Sequence, residues 1–213
     1  MGQEKPDLSK LRVEVVWHED MWQQIKNAAL FTIHKIAGKY PDSKWKRKIL
    51  RAEHSVIRCG HLIINVYNCP QFVIGHFVRH HNGFTPFVAS FRYDRYDCDE
   101  TPNRNTLQDM KFDGNFQSFI NISRKRYCNC ASYETRYVWD LIMKAVKEFE
   151  PELSEACVRE CCYRNGFCPE HMTCGFNKTH AFLKELREYQ KGFEDQINEH
   201  TLIKDEHINE ERN

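Results

Sequence analysis

Glycine and proline are scarce, at 9 and 7 of 213 residues, which excludes collagen-like, linker-rich and low-complexity architectures. Net charge is nearly absent as well. The 31 Lys and Arg against 30 Asp and Glu leave +1, so no global field recruits nucleic acid or an anionic membrane, and any basic patch is local. Long apolar runs are missing: stretches such as 62–66 and 87–89 fall far short of the ~20 residues a spanning helix needs. Residues 1–10 are polar with no apolar h-region, so a chain without a secretory signal, in a reducing cytoplasm, is the expectation. No internal repeat recurs at a fixed period. What is present is 41% hydrophobic and 29% charged residues in 25.5 kDa, enough for one domain, or a domain with an appendage, with a real core. Ten cysteines would suit a disulfide framework in a secreted protein; without a signal, free thiols or a metal are expected.

Leu11, Val13 and Val15 alternate with Arg12 and Glu14, which predicts a strand over 11–17. Asp20 can cap a helix whose apolar positions Trp22, Ile25, Ala29, Ile33 and Ile36 recur at three and four, ending near Gly38. Residues 40–48, with Pro41 and a run of cations, read as a solvated loop, and the β-branched stretch 56–67 as a strand. Pro70 stands at a helix N1 position before Phe72, Val73, His76, Phe77 and His80, so a short helix delivers Arg79, His80 and His81 to its C-terminal end. Asn82-Gly83 turns the chain, 87–93 reads as extended, and the polar segment 94–114 as an excursion loop. Helices are predicted over 115–130, over 132–149 until Pro151, and over 179–199, with a frayed tail beyond His200.

Several clusters could carry chemistry. Arg79, His80 and His81, followed by Ser90, Arg92 and Arg95, gather cations suited to a phosphate, because a guanidinium donates two parallel charge-assisted bonds to anionic oxygens. The alternative is surface charge balanced by Asp94, Asp97 and Asp99. Arg124, Lys125 and Arg126 fan over most of a helix circumference, so they cannot all face solvent if that helix packs centrally; a plain solvated basic stripe is the other reading. Cys162, Cys168 and Cys174, with Cys161 and His171 among them and Cys128 and Cys130 upstream, are candidate zinc ligands. Their C-x5-C-x5-C spacing differs from a C-x2-C knuckle, and buried reduced thiols acting as small apolar residues remain the alternative.

Three blocks together resemble the flavin-dependent thymidylate synthases, in particular short, divergent members of virus or phage type. They are Glu53-His54-Ser55; Pro70-x-Phe72-Val73 leading through Arg79-His80-His81 to Ser90-Phe91-Arg92-Tyr93; and Asn115 through Glu134, the most specific. The resemblance spans residues 11–150. It implies an α/β (α+β) fold with a mixed central sheet flanked by helices, here followed by a Cys-rich segment at 157–176 and a C-terminal charged helix and tail at 179–213. Residues 1–178 would then form the catalytic domain.

The resemblance further implies FAD bound by Glu53, His80, His81, Asn115, Gln117 and Asn121, with Gln117 where the family often has an arginine. It places a deoxynucleotide monophosphate against His76, Arg79, Ser90, Arg92 and Arg126. Arg126 would be catalytic, stabilising the negative charge that builds on the ring as C5 attacks, since a guanidinium on the carbonyl lets enolate-like charge accumulate. NADPH and methylenetetrahydrofolate would be co-substrates, and the assembly a homotetramer with sites shared between subunits. Neither a membrane nor a nucleic acid is an expected partner. His81 stands where the family's motif has an arginine, and His76 where it has a glutamine. The pyrimidine, and whether the product is methyl or hydroxymethyl, stay open. A zinc-stabilised nucleic-acid-binding module using Arg124, Lys125 and Arg126 is the reading from another class, opposed by the near-zero net charge.

Overall fold

The alternating stretches build a sheet, and the polar stretch between them supplies its missing centre. The computed structural model describes residues 5–36, 38–92, 101–193 and 196–197. Strand β1 is Arg12–His18 and β2 is His61–Pro70, whose Leu62, Ile64 and Val66 are fully buried at every second position. Strand β3 is Phe84–Val88, and β4 is Leu107–Asn115, inside the segment expected to be a loop. In β4 Gln108, Met110, Phe112 and Gly114 turn inward, while Asp109 and Lys111 face out.

The order is β1-β2-β4-β3. All described pairings are antiparallel rather than mixed, because β4 begins where β2 ends: Gln71 N–H donates to Thr106 O at 3.0 Å, and β4 runs back along β2.

Helix α1, Trp22–Phe31, stops short of the expected Gly38. His34 takes a left-handed conformation and Lys35 N–H bonds back to Leu30 O at 3.0 Å, closing the helix and leaving Ile33 and Ile36 exposed. The expected loop at 40–48 largely becomes α2, Ser43–Arg51, because the Asp42 carboxylate accepts from Trp45 N–H and caps it. Residues 56–59, the start of the predicted strand, fall instead in a 3-10 turn, Ser55–Cys59, and β2 starts beyond Gly60.

Helix α3 is Gln71–Phe77 with Pro70 as its N-cap. Helix α4 is Phe116–Arg126, and α5 is Tyr133–Phe149 with the Ser132 hydroxyl accepting from Thr135 N–H. Pro151 does not end the helical region but opens α6, Pro151–Ala156. Then come α7, Glu160–Tyr163, and α8, His180–Gln190, which closes at Gln190 within the predicted 179–199; residues 194–195 and 198–199 lie outside the described ones. The extended stretch predicted over 87–93 is β3, which ends at Val88; Tyr93, Arg95 and the tail beyond His200 lie outside the described residues.

Helix α4 is buried on nearly every side, and Phe119 and Phe77 meet the ring of Trp139 at 6.0 and 5.6 Å. A second, small cluster of Cys162, Phe182 and Leu186 joins α7 to α8. Among the described residues no helix is long and apolar enough to cross a membrane.

Candidate active site at the start of the central helix

Asn115 ends β4 and caps α4, its side-chain oxygen accepting from Ser118 N–H at 2.9 Å. Two glycines admit this junction. Gly60 O accepts from Phe116 N–H at 3.0 Å, and Gly83, at φ +71, takes Asn115 N–H on its carbonyl at 2.8 Å; a Cβ on either would fall within 2.6 Å of Phe116 or Asn115 atoms. The chain is therefore drawn in from two loops around the first turn of α4.

A cleft of about 590 Å³ opens there, lined by Glu53, Arg58, Asn82, Gly83, Asn115, Gln117 and Asn121. A smaller one of about 210 Å³ adjoins it through Asn82 and Asn121 and is lined also by Arg79, His80, His81, Ser118 and Ile122. Glu53 closes α2 in a left-handed conformation, φ +46, uncommon for a residue with a side chain. Its carboxylate accepts from Gln117 Nε2 at 2.6 Å and from Arg124, whose guanidinium lies 3.6 Å over the Tyr163 ring.

The three consecutive cations part as the helix turns. Arg124, with a side chain 14% exposed, goes inward to Glu53; Lys125, at 52%, faces solvent and pairs with Glu170 at 3.0 Å. Arg126 is half-buried, donating from Nε to His80 Nε2 at 2.9 Å and from Nη2 to the His76 carbonyl at 2.6 Å. His76 Nδ1 in turn meets the buried Thr135 hydroxyl at 2.7 Å, tying α3 to the start of α5. The run is not an exposed basic stripe: of the three cations, Lys125 alone is exposed.

No family model and no curated protein sequence matches this chain. Solved structures do match. The flavin-dependent thymidylate synthase ThyX of Helicobacter pylori, complexed with FAD and dUMP, aligns at TM-score 0.54 and 12% identity, covering 69% of this chain and 99% of that one. The UMP/dUMP methylase PolB of Streptomyces cacaoi, bound with 5-Br dUMP, aligns at 0.55 and 12%, covering 70% and 94%. The chain has the fold of the flavin-dependent thymidylate synthases.

On this thymidylate synthase fold, the residues nominated for the cofactor, Glu53, His80, His81, Asn115, Gln117 and Asn121, all line the two adjoining clefts, together with Arg79. Ser90 and Arg92 lie past the end of β3, exposed and outside the lining of both clefts, and His76 and Arg126 stand behind His80. Arg58 and Asn82 were not singled out as binding residues; their only sequence signal is position, one in the turn after the Glu53 block and the other beside the Gly83 turn.

Cys162 and Cys174 lie in different surroundings, while Cys168 and Cys174 line one small cleft. Cys162 is fully buried against Phe182 and Leu186, its thiol 3.5 Å from Glu185, whereas Cys174 meets Cys128 and Cys130.

Burial, then the nearby Arg126 and His81, push the His80 pKa down to about 4 from 6.5, and burial lowers His76 as well. Neutral His80 is what allows Nε2 to accept from Arg126. The unfolded chain takes up its proton first, so this contribution is complete above about pH 6.5 and is lost as pH falls toward 4. Solvent screening of the partly exposed ring holds the effect to about 1 kcal/mol. Denaturant titration at pH 7 and pH 5 should show a stability loss in the parent that shrinks in His80→Gln; an equal loss in both would remove His80 as its source.

Proposed function

We propose that the protein is an FAD-dependent enzyme that transfers a one-carbon unit from methylenetetrahydrofolate to C5 of a pyrimidine deoxynucleotide, dUMP foremost, with NADPH as reductant. The observation that carries this is convergence: residues far apart in sequence, Glu53, His80, His81, Asn115, Gln117 and Asn121, meet in adjoining clefts on a thymidylate synthase fold. The donor set suits the ligands. Side-chain amides of Asn82, Asn115, Gln117 and Asn121 offer both donors and acceptors, as the edges of a flavin or adenine ring require, and Arg58 and Arg79 supply charge for phosphates.

FAD, when bound, supplies the electron transfer that protein side chains cannot. The chain's own residues bind and orient. Glu53 and Gln117 form one wall, fixed from behind by Arg124. Arg126 stays charged despite burial that lowers its pKa, and among the described residues its Nη1 makes no hydrogen bond, so it can donate to a pyrimidine carbonyl as negative charge accumulates there. Ser90 and Arg92 serve a neighbouring copy in a homotetramer. Support for that role is their place beyond β3, the last strand of the described sheet, whose Phe87 and Val88 are exposed apolar side chains. The working compartment is the cytoplasm, that of a bacterial host if the source is viral.

The purified protein should be yellow, release FAD on denaturation, bleach with NADPH and convert dUMP to dTMP. Mass spectrometry of the product separates methyl from hydroxymethyl. A colourless protein that takes up no added FAD would sink the proposal. Glu53→Gln should lose bound FAD at least about tenfold and melt a few degrees lower, because the largely buried Arg124 is left without its counter-charge.

A further inference from the structure

Residues 163–181 contain no buried residue, and between α7 and α8 the only regular structure is a 3-10 turn, Phe176–Lys178. A stretch this exposed has no core of its own to hold its shape, and such segments commonly rely on a disulfide or metal. Besides Phe176, which packs against the Cys162, Phe182 and Leu186 cluster, its ties run to the end of α4 and the α4–α5 connection: Lys125 to Glu170, and Cys130 Sγ to Met172 O at 3.5 Å. At that same contact the sulfurs of Cys128, Cys130 and Cys174 lie within 4.8 Å of one another.

We infer that Cys128, Cys130 and Cys174 are three thiolate ligands of a structural zinc ion, with Cys168 as the fourth. A zinc–sulfur bond of ~2.3 Å sets the sulfurs of a tetrahedral site ~3.8 Å apart, so the cluster needs only a small contraction. A disulfide would draw one pair to ~2.05 Å and leave the third thiol without a role. Cys130 N–H also points at Cys128 Sγ, 3.5 Å away, the kind of backbone donor that stabilises a metal-bound thiolate.

Cys168 is the fourth ligand because it lines the same small cleft as Cys128 and Cys174. Cys161 lines it too, but it packs against the Cys162, Phe182 and Leu186 cluster that joins α7 to α8. Soft thiolates in tetrahedral array select zinc over harder, oxygen-seeking cations. On binding, each thiol gives its proton to solvent and zinc keeps its oxidation state. The ion would fasten the Cys-rich segment to the connection that begins beyond Arg126, independently of whether the clefts hold a flavin.

The test is elemental analysis of the full chain, purified in reducing buffer without a metal-chelating tag. The expected result is one zinc per chain, lowered at least about tenfold in Cys128→Ser and Cys174→Ser and unchanged in Cys59→Ser, which sits in the 3-10 turn before β2. Because a ligand variant can fail to fold, the parent is also stripped and reloaded with cobalt. Thiolate-to-cobalt charge transfer should appear and fall by about a quarter in Cys168→Ser, as four equivalent thiolates require. Two results overturn the proposal: a parent that holds no zinc even after reloading, or a thiol titration in denaturant that finds fewer than the ten cysteines free. Unchanged cobalt absorption in Cys168→Ser would remove Cys168 as a ligand.

Discussion

Arg126→Ala should lower kcat for dUMP methylation about 10²–10³-fold while leaving FAD content near the parent's. The size follows from what the guanidinium is proposed to do: removing one preorganised donor from a site of developing charge forfeits about 3–4 kcal/mol of transition-state stabilisation. Flavin should persist because Arg126 is in the lining of neither cleft, and its hydrogen bonds among the described residues run to His80 and the His76 carbonyl. KM for the nucleotide should change less than kcat, since the donor matters most once charge has moved onto the ring. Arg126→Lys is the discriminating control. An ammonium keeps the charge but cannot hold His80 and the His76 carbonyl while donating from a third nitrogen, so at least about tenfold of the loss should remain. A lysine variant at parental rate would show that charge alone suffices; an alanine variant at parental rate would remove Arg126 from the chemistry.

Much of this site was legible in the sequence because its residues lie in contiguous blocks. Asn115, Gln117 and Asn121 fall on the cap and first turns of one short helix, and three successive cations on a centrally packed helix cannot all reach water: Arg124 turns in, Lys125 out, and Arg126 to His80. The legible part ends where geometry is made by distant segments. Strand β4 lies in a segment, 94–114, whose Pro102 and many Asp and Asn residues give it the composition of a loop, although within it Gln108, Met110, Phe112 and Gly114 alternate with polar residues. Composition outweighed period. In α2 the Asp42 cap precedes a stretch so cationic that its composition masks the apolar face of Trp45, Ile49 and Leu50. The cysteines show the same limit, since spacing along 162–174 says nothing about Cys128 and Cys130 arriving from another loop. Arg58 carries no motif, and only the folded 3-10 turn brings it to the cleft.

The largest stability effect is expected at Gly60, which no chemistry requires. An alanine Cβ there would sit 2.5–2.7 Å from three atoms of the Phe116 ring, closer than real contacts come. Neither side can yield cheaply. Phe116 is fully buried, 5.5 Å from the Trp22 ring, and its own N–H is bound to Gly60 O. Relief therefore means tilting the first turn of α4 or opening the core, and Gly60→Ala should lose about 3 kcal/mol in denaturant titration. Gly83→Ala meets the Asn115 amide instead, a side chain that can swing aside, so its loss should be smaller, about 2 kcal/mol from left-handed strain and the broken cap. That variant should give up flavin out of proportion to its stability, because the displaced amide is a cleft wall. Pairing Gly60→Ala with Phe116→Leu isolates the clash. Removing the ring makes room for the methyl, so the double variant should be more stable than the sum of the two losses predicts. Strict additivity, or a Gly60→Ala protein as stable as its parent, would mean that the close approach of this loop to α4 does not set the position of the helix.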